Sequence, residues 1–304
     1  MEEVLNGIIK HNIALFGDNP KIKRINVGFT NTIYSINDSY IVKICTNYEN
    51  EDNFKKEISF YNKNKNNPSI PKLYYSNIVK NDIPFLYEII EKVKGVSLYS
   101  VWHTLSEQKR EDIIKELCQI MKQIHSNKST SYDWCKFMKE QFELSYKKVK
   151  QLHLFDIKEQ VLIEEATKNF DKYLLSNDFV LIHNDLHFDN IIYDNGIIKL
   201  IDFERSMYAP RDYELDILYR MIRKPWKFAS EETEQYTNLN QYTNIMKYIE
   251  KYYEDIINIP NLDKRLAIYD IVYFMNQLIE YPHLTELKDD IISATKKVIS
   301  NKNI

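Results

Sequence analysis

Glycine and cysteine are both scarce in this chain, with 5 glycines and 3 cysteines among 304 residues. The cysteines, Cys45, Cys118 and Cys135, lie far apart and are odd in number. They therefore predict neither a disulfide framework nor a cysteine-rich metal site. Thiols without a disulfide partner favour a reducing compartment, so we expect a cytoplasmic protein.

The chain also lacks an excess of basic residues and any long apolar run. Its net charge of -3 does not supply the positive surface that binding to nucleic-acid phosphates needs. No apolar stretch approaches the ~20 residues of a membrane-spanning helix. The opening segment Met1–Lys10 includes Glu2 and Glu3 and has no continuous apolar core, unlike a signal peptide. We therefore expect neither a nucleic acid nor a membrane as a partner.

Hydrophobic residues make up 44% of the chain, which at this length is enough to bury a core. In the first part, short segments rich in branched and aromatic residues alternate with turn-forming stretches such as Gly28–Asn31, which predicts a small antiparallel sheet. Helices are predicted before it, over Glu2–Phe16, and after the third strand, where Phe54, Ile58 and Tyr61 recur at helical spacing. The predicted strands are Ile22–Val27, Thr32–Ile36, Tyr40–Cys45, Lys72–Tyr75 and Phe85–Ile90.

Beyond Gly95 the pattern is mainly helical, with predicted helices over Glu111–His125 and Phe142–Leu174. Short apolar strands interrupt it, and Asp194–Gly196 between the last two of them is a strong hairpin signal. These strands are Phe179–Ile182, Ile191–Tyr193 and Ile197–Ile201. We therefore predict an α+β protein of two lobes, in which residues 1–92 form a small antiparallel β-sheet lobe and residues 93–304 form a larger, mostly helical lobe.

A polar motif follows the first strand of this second group. His183, Asp185 and Asn190 have the spacing H-x-D-x4-N, which is typical of the catalytic loop of kinases. Asp202 ends the strand after the hairpin, the place where kinases carry a metal-binding aspartate. Asp and Asn are common in surface turns, so the motif alone is a weak signal. The second aspartate and the strand-hairpin-strand context together predict a site for phosphoryl transfer.

The chemistry of phosphoryl transfer explains why these residue types are needed together. The transferred group carries dispersed negative charge, so catalysis depends on positioning and on stabilisation by cations. Magnesium prefers hard oxygen ligands, which Asp202 and Asn190 supply. Asp185 is suited to orient an acceptor hydroxyl and to receive its proton, whereas we interpret His183 as a structural support of the loop.

Lys43 lies in the third predicted strand between Val42 and Ile44, where a lysine is costly to bury without an anionic partner. Glu57, on the inward side of the next predicted helix, is a candidate for that partner. Such a pair of strand lysine and helix glutamate holds the nucleotide phosphates in kinases. A solvated lysine on a half-exposed strand is the structural alternative.

His183–Asn190 and Asp202–Glu204 resemble the Brenner motif and the metal-binding segment of the aminoglycoside phosphotransferase and choline kinase superfamily, which has a protein-kinase-like fold. The order of the predicted elements is similar across nearly the whole chain. The resemblance implies ATP or GTP as phosphoryl donor, Mg²⁺ as metal and Asp185 as catalytic base. It implies Asn190 and Asp202 as metal ligands, Lys43 and Glu57 at the nucleotide phosphates, and Glu91, Val93, Ile192 and Ile201 around the adenine.

Two departures argue against a protein kinase. The turn Gly28–Asn31 lacks the G-x-G-x-x-G pattern, and Glu204 stands where protein kinases have the glycine of D-F-G. We therefore expect a small-molecule acceptor with a hydroxyl group. The first candidate is an aminoglycoside-like or other antibiotic, whose phosphorylation would give resistance. Choline or another amino alcohol is the second, and a metabolic sugar or hydroxy-amino acid is the third.

Acidic and aromatic residues of the second lobe could bind a cationic acceptor, by charge attraction and by cation–π contact. A solvated face and buried tyrosines are the structural alternative. The residues concerned are Glu204, Glu214, Glu231, Glu232, Glu234, Tyr236, Tyr242, Tyr248, Tyr252 and Tyr253. No pattern in the sequence specifies an oligomeric state.

Two other functions remain as alternatives. His183 and His187 have a spacing that suits a zinc pair on one helix face, but no third nitrogen or sulfur ligand stands at a plausible distance in the sequence. A non-catalytic pseudokinase is the second alternative, and it conflicts with the presence of Lys43, Asp185 and Asp202.

Overall fold

A computed structural model gives the structure of the chain and describes residues 1–25, 31–130 and 132–300. The predicted turn Gly28–Asn31 falls outside these ranges except for its last residue. The strands are β1 (Ile22–Ile25), β2 (Thr32–Ile36), β3 (Tyr40–Ile44), β4 (Leu73–Asn77), β5 (Tyr87–Glu91), β6 (Val96–Ser97), β7 (Phe179–Ile182), β8 (Ile191–Asp194), β9 (Ile197–Leu200) and β10 (Met207–Pro210).

Helices make up most of the rest of the described chain. They are α1 (Glu2–His11), α2 (Ile13–Phe16), α3 (Glu51–Lys63), α4 (Leu98–Trp102), α5 (Glu107–Ile124), α6 (Trp134–Gln151), α7 (Ile157–Thr167), α8 (Phe170–Tyr173), α9 (Leu215–Arg223), α10 (Glu231–Glu234), α11 (Ile245–Tyr252), α12 (Glu254–Ile257), α13 (Leu262–Glu280) and α14 (Thr285–Ile299). None of these helices combines the length and the apolar composition needed to cross a membrane.

The first lobe is a five-stranded antiparallel sheet in the order β1-β2-β3-β5-β4. Successive side chains of a strand point to opposite faces. Val42 and Ile44 therefore face one side, where they pack with Leu5 and Ile8 of α1 in a small hydrophobic core. Lys43 faces the other side, toward α3 and the second lobe. The predicted antiparallel sheet is confirmed, with strand ends that shift by a few residues.

The second lobe has one large hydrophobic core shared by its helices and short strands. The hairpin between β8 and β9 turns through Asn195 and Gly196, whose φ values of 51° and 99° suit the tight turn that this dipeptide favours. β6 pairs with β8, so the connector between the lobes is tied to this hairpin. Gly95 lies in that connector with φ 118°, and a Cβ there would collide with the carbonyl of Tyr193. The predicted two-lobed α+β fold is confirmed.

The expectation of one long helix over Phe142–Leu174 is wrong. The chain forms α6, α7 and α8 there, because His153 adopts a left-handed conformation with φ 52°. Asp156 and Glu159 then form a capping box, in which each carboxylate accepts the other residue's main-chain N–H at 2.8 Å. The first predicted helix is likewise divided at Asn12. The proposed domain division at residues 92 and 93 falls between β5 and β6.

Candidate active site

The predicted catalytic loop connects β7 to β8 at the base of the cleft between the lobes. His183 is fully buried, and its Nε2 lies 3.0 Å from the main-chain oxygen of Ile201. The main-chain N–H of Ile201 in turn donates to the carbonyl of Asn190 at 3.0 Å. The loop and the segment that precedes Asp202 are therefore bonded to each other, although they are separate in the sequence.

Asn190 fixes the shape of the loop from within. Its Nδ2 donates to the main-chain oxygen of Asp185 at 2.8 Å and lies 3.2 Å from Nε2 of His187. Asn190 is buried, and its two amide hydrogens serve these contacts. Burial lowers the pKa of His187, although the carboxylates of Asp185 and Asp189 oppose the change.

Lys43 of the first lobe contacts acidic residues of both lobes in the cleft. Its Nζ lies 2.7 Å from Oε2 of Glu57, 2.6 Å from Oε1 of Glu204 and 3.5 Å from Oδ1 of Asp202. Lys43 is only 7% exposed, so these contacts replace most of its solvation. The lysine and glutamate that the sequence paired are in contact, and Asp202 of the other lobe lies beside them.

Burial and charge act in opposite directions within this cluster. Burial alone would lower the pKa of Lys43, but Glu57, Asp202 and Glu204 outweigh it and hold that pKa well above its ordinary value. Burial raises the pKa of Glu57 to about 7, against the attraction of Lys43. The lysine is therefore charged, and the carboxylates share its charge.

Glu88 of β5 is a member of this cluster that the sequence analysis missed. It lies directly opposite Lys43 in the sheet, and it is fully buried. Neither carboxylate oxygen has a hydrogen-bond partner among the described residues. Burial and the nearby charge of Glu57 raise the pKa of Glu88 well above its ordinary value. The alternation of side chains along each strand was the available signal in the sequence. It places positions 43 and 88 on the same side of the sheet only once the register of the two strands is known.

Glu204 is another residue whose position the sequence did not predict. Asn31 and Asn50 donate hydrogen bonds to its two carboxylate oxygens, and Lys43 contacts it from the same side. Carboxylate oxygens of Glu57, Asp202 and Glu204 lie within 4.8 Å of one another. Such a group of hard oxygen donors suits a magnesium ion. Nζ of Lys43 contacts all three carboxylates and already offsets part of their mutual repulsion.

The buried carboxylate of Glu214 is hydrogen-bonded to the main chain of the catalytic loop. It accepts the main-chain N–H groups of His183 at 2.8 Å and of Asn184 at 3.0 Å, and it lies 3.2 Å from Nε2 of His125. Burial would raise the pKa of Glu214, but the contacts with His125 and His183 hold it below its ordinary value. The loop is therefore fixed by a buried charge.

Two other acidic residues near this position pair with arginines and not with the loop. Asp216, in the first turn of α9, pairs with Arg220. The two carboxylate oxygens of Asp212 bind Arg265 at 2.6 and 2.8 Å. A 3₁₀ turn over Arg211–Glu214 precedes α9 and rotates Glu214 toward the loop. That turn carries no distinctive sequence signal.

A cavity of about 420 Å³ lies beside the connector between the lobes. Glu91, Val93 and Ile192 line it, as does Lys199, whose Nζ lies 2.6 Å from Oε1 of Glu91. Ile201 does not line this cavity in the described structure, and its main-chain groups bond to the catalytic loop. The structure thus brings together three of the four residues that were expected around an adenine.

A second cavity, of about 330 Å³, lies among α9, α13 and α14. It adjoins the catalytic loop, because Phe228 on its wall has its ring centroid 6.5 Å from that of His187. Its charged lining is of mixed sign and comprises Arg220, Arg223, Lys224, Lys227, Glu286 and Asp290. Nη1 of the buried Arg220 has no hydrogen-bond partner among the described residues.

Comparisons with known proteins identify the family and the fold. A model of a family described as the phosphotransferase enzyme family matches residues 21–244. No curated protein sequence is similar enough to be detected as a relative. ADP-bound aminoglycoside phosphotransferase APH(2'')-Ib has a similar structure, with a TM-score of 0.71 at 17% identity, covering 98% of this chain and 99% of that one.

Two further solved structures are similar over almost their whole length. The gentamicin complex of APH(2'')-IIa has a TM-score of 0.65 at 16% identity, covering 97% of this chain and 96% of that one. A ternary complex of a thermostable APH(4)-Ia mutant with AMP-PNP and hygromycin B has a TM-score of 0.61 at 17% identity, covering 96% of each chain. At these identities the likeness concerns the fold.

Proposed function

The chain belongs to the phosphotransferase enzyme family and uses a hydroxyl group as acceptor, and from this premise we propose that it transfers the γ-phosphate of ATP, or of GTP, to a small molecule. One observation carries the proposal: Lys43 of the first lobe contacts both Glu57 and Asp202 beside the loop that holds Asp185 and Asn190. A phosphate chain placed along these residues meets a cation, metal ligands and a base in succession.

Each residue then has a distinct part. Lys43 binds the nucleotide phosphates, and Glu57 orients Lys43 through the contact of 2.7 Å. Asp185 is the catalytic base, which accepts the proton of the acceptor hydroxyl as the hydroxyl oxygen attacks the γ-phosphorus. The bond between the γ-phosphorus and the β,γ-bridging oxygen breaks, and the nucleoside diphosphate leaves with that oxygen. Arg205, 3.9 Å from Asp185, adds a positive charge beside the transferred group.

Magnesium is the metal that these oxygen donors favour. When bound, it supplies positive charge that neutralises the phosphate oxygens of the nucleotide. We propose Asn190 and Asp202 as its protein ligands, with Glu204 as a further carboxylate near them. In the cavity at the connector, the main chain of Glu91–Val93 binds the adenine edge and Ile192 packs against its face. Ile201 does not line this cavity, so Ile192 is the isoleucine that we propose for this packing.

For the acceptor, an aminoglycoside-like or other antibiotic is the first candidate, with resistance as the cellular result. The support is the fold shared with enzymes crystallised with gentamicin and with hygromycin B. The acidic residues of the second lobe give less support than expected for a cationic acceptor. Glu204 is paired with Lys43, and Glu214 is buried at the catalytic loop. Choline, another amino alcohol or a metabolic sugar is the alternative.

One observation favours a second candidate, a hydroxy-amino acid. The cavity beside the catalytic loop carries both signs of charge on its wall, for instance Lys224 beside Asp290. A zwitterion is complementary to such a wall, whereas a polycation meets four cationic side chains there.

The proposal is tested by incubating the purified protein with ATP and Mg²⁺ against aminoglycosides, macrolides, choline, ethanolamine, sugars and hydroxy-amino acids. ADP release is coupled to a readout, and Asp185→Asn is the control. Turnover with one acceptor that disappears in the variant supports the proposal and identifies the acceptor class. Nucleotide binding without turnover on any acceptor would favour a non-catalytic pseudokinase.

A further inference from the structure

The side-chain amide of Asn190 has only one orientation that its neighbours permit. One of its two terminal atoms lies 2.8 Å from the main-chain oxygen of Asp185. A carbonyl oxygen accepts hydrogen bonds and cannot donate them, so this atom is the amide nitrogen Nδ2. The oxygen Oδ1 therefore occupies the other branch of the amide, on the side away from the carbonyl of Asp185.

His187 receives the second hydrogen of the same amide. Its Nε2 lies 3.2 Å from Nδ2 of Asn190, which is a hydrogen-bond distance. Because Nδ2 is the donor, Nε2 must be the acceptor, and the ring carries its proton on Nδ1. Nδ1 is buried and has no hydrogen-bond partner among the described residues. The ring is thus held by one specific contact, the one to Asn190.

We infer that His187 is a positioning residue that turns Oδ1 of Asn190 toward the proposed metal site. A rotation of the amide by half a turn would bring Oδ1 against the carbonyl of Asp185, which can only accept, and it would break the hydrogen bond that Nδ2 donates to Nε2 of His187. The inference rests on the proposed function, because it concerns Asn190 as a ligand of a divalent cation. His187 itself touches neither metal nor substrate, and it acts through Asn190.

The experiment compares His187→Leu with His187→Gln in the full-length protein. Mn²⁺ replaces Mg²⁺, and its affinity in the presence of ADP is measured by electron paramagnetic resonance. We expect His187→Leu to weaken Mn²⁺ binding about 10- to 100-fold, the usual effect of removing a residue that orients a metal ligand. His187→Gln should retain most of the affinity, because its Oε1 can accept from Asn190. Neither change should alter the affinity for ADP without metal.

Folding is followed separately by the thermal midpoint. His187→Leu removes a buried donor that has no partner but leaves one amide hydrogen of Asn190 without its acceptor, so the two effects oppose each other and the midpoint should stay close to that of the wild type. Wild-type Mn²⁺ affinity in His187→Leu would overturn the inference, and so would equal losses in both variants, which would indicate packing. If the wild type binds ADP with no dependence on Mn²⁺, the proposed function fails first and the inference with it.

Discussion

Glu204 reaches back from the second lobe to Lys43 of the first, with 2.6 Å between Oε1 and Nζ. The carboxylate occupies the side of the lysine where the phosphates of a nucleotide are proposed to bind. Two neutral donors, Asn31 and Asn50, hold it there. Lys43 is therefore already paired with a protein carboxylate, and the phosphates of a nucleotide must compete with Glu204 for it.

Glu204→Gln should tighten the binding of ADP without metal by about fivefold, or ~1 kcal/mol, because one competing charge beside Lys43 is removed. Isothermal titration calorimetry in EDTA measures this affinity. Glu49→Gln, at an exposed position of the first lobe, is the control and should behave as wild type. An unchanged or weaker affinity in Glu204→Gln would mean that Glu204 does not compete with the phosphates.

Asp185→Asn should lower kcat about 100- to 10,000-fold, because amide nitrogen and oxygen cannot take the proton of the acceptor hydroxyl. Nucleotide affinity should stay within a factor of about two, since the backbone of Asp185 still accepts from Asn190. Steady-state kinetics and nucleotide titration separate the two effects. Asp289→Asn on the exposed side of α14 is the matched control, and an equal loss of activity there would remove the case for Asp185.

Lys43→Met should lower the free energy of unfolding by about 3–5 kcal/mol, because it leaves Glu57, Glu204 and Glu88 without their shared cation. Denaturant unfolding measures the change. Adding Glu88→Gln to this variant should recover part of the loss, since one buried carboxylate is then neutral. If the double variant is no more stable than Lys43→Met, Glu88 does not belong to the same electrostatic cluster.

Glu88 also predicts a dependence of stability on pH. Burial holds its pKa well above the ordinary glutamate value in the folded chain, so the folded state binds more protons than the unfolded state once the pH rises past that ordinary value of about 4.3. Stability therefore falls with rising pH, by ~1.4 kcal/mol for each unit by which the folded pKa is raised, once the pH exceeds both pKa values. Glu88→Gln should be about as stable as wild type at pH 4 and more stable at pH 8. Urea unfolding at both pH values tests this, and a constant difference would contradict it.

Glu214→Gln should lower kcat by about 10- to 100-fold, because a buried amide cannot accept the two main-chain N–H groups of the loop as a carboxylate does. Asp216→Asn is the informative comparison. It should lower stability through its contact with Arg220 while leaving kcat close to wild type. The reverse pattern would show that Asp216, and not Glu214, supports the loop.

Much of this site could be predicted from local patterns. The strand residues around Lys43, the hairpin at Asn195 and Gly196, and the spacing of Asp185, Asn190 and Asp202 are all properties of short segments. Hydrophobic alternation and turn-forming dipeptides report such segments directly. The helix break after Gln151 was also readable, because Asp156 and Glu159 form a capping-box pattern that the long amphipathic stretch obscured.

The sequence by itself determined which residues carry the proposed chemistry, because phosphoryl transfer restricts the residue types and their spacing within one loop. Only the tertiary structure decided which residues surround them. Glu204 meets Asn31 and Asn50 from more than 150 positions away, and Glu214 rather than Asp216 supports the loop. Such contacts depend on strand register and on how a turn is rotated, and both are fixed by packing across the whole chain rather than by neighbouring residues.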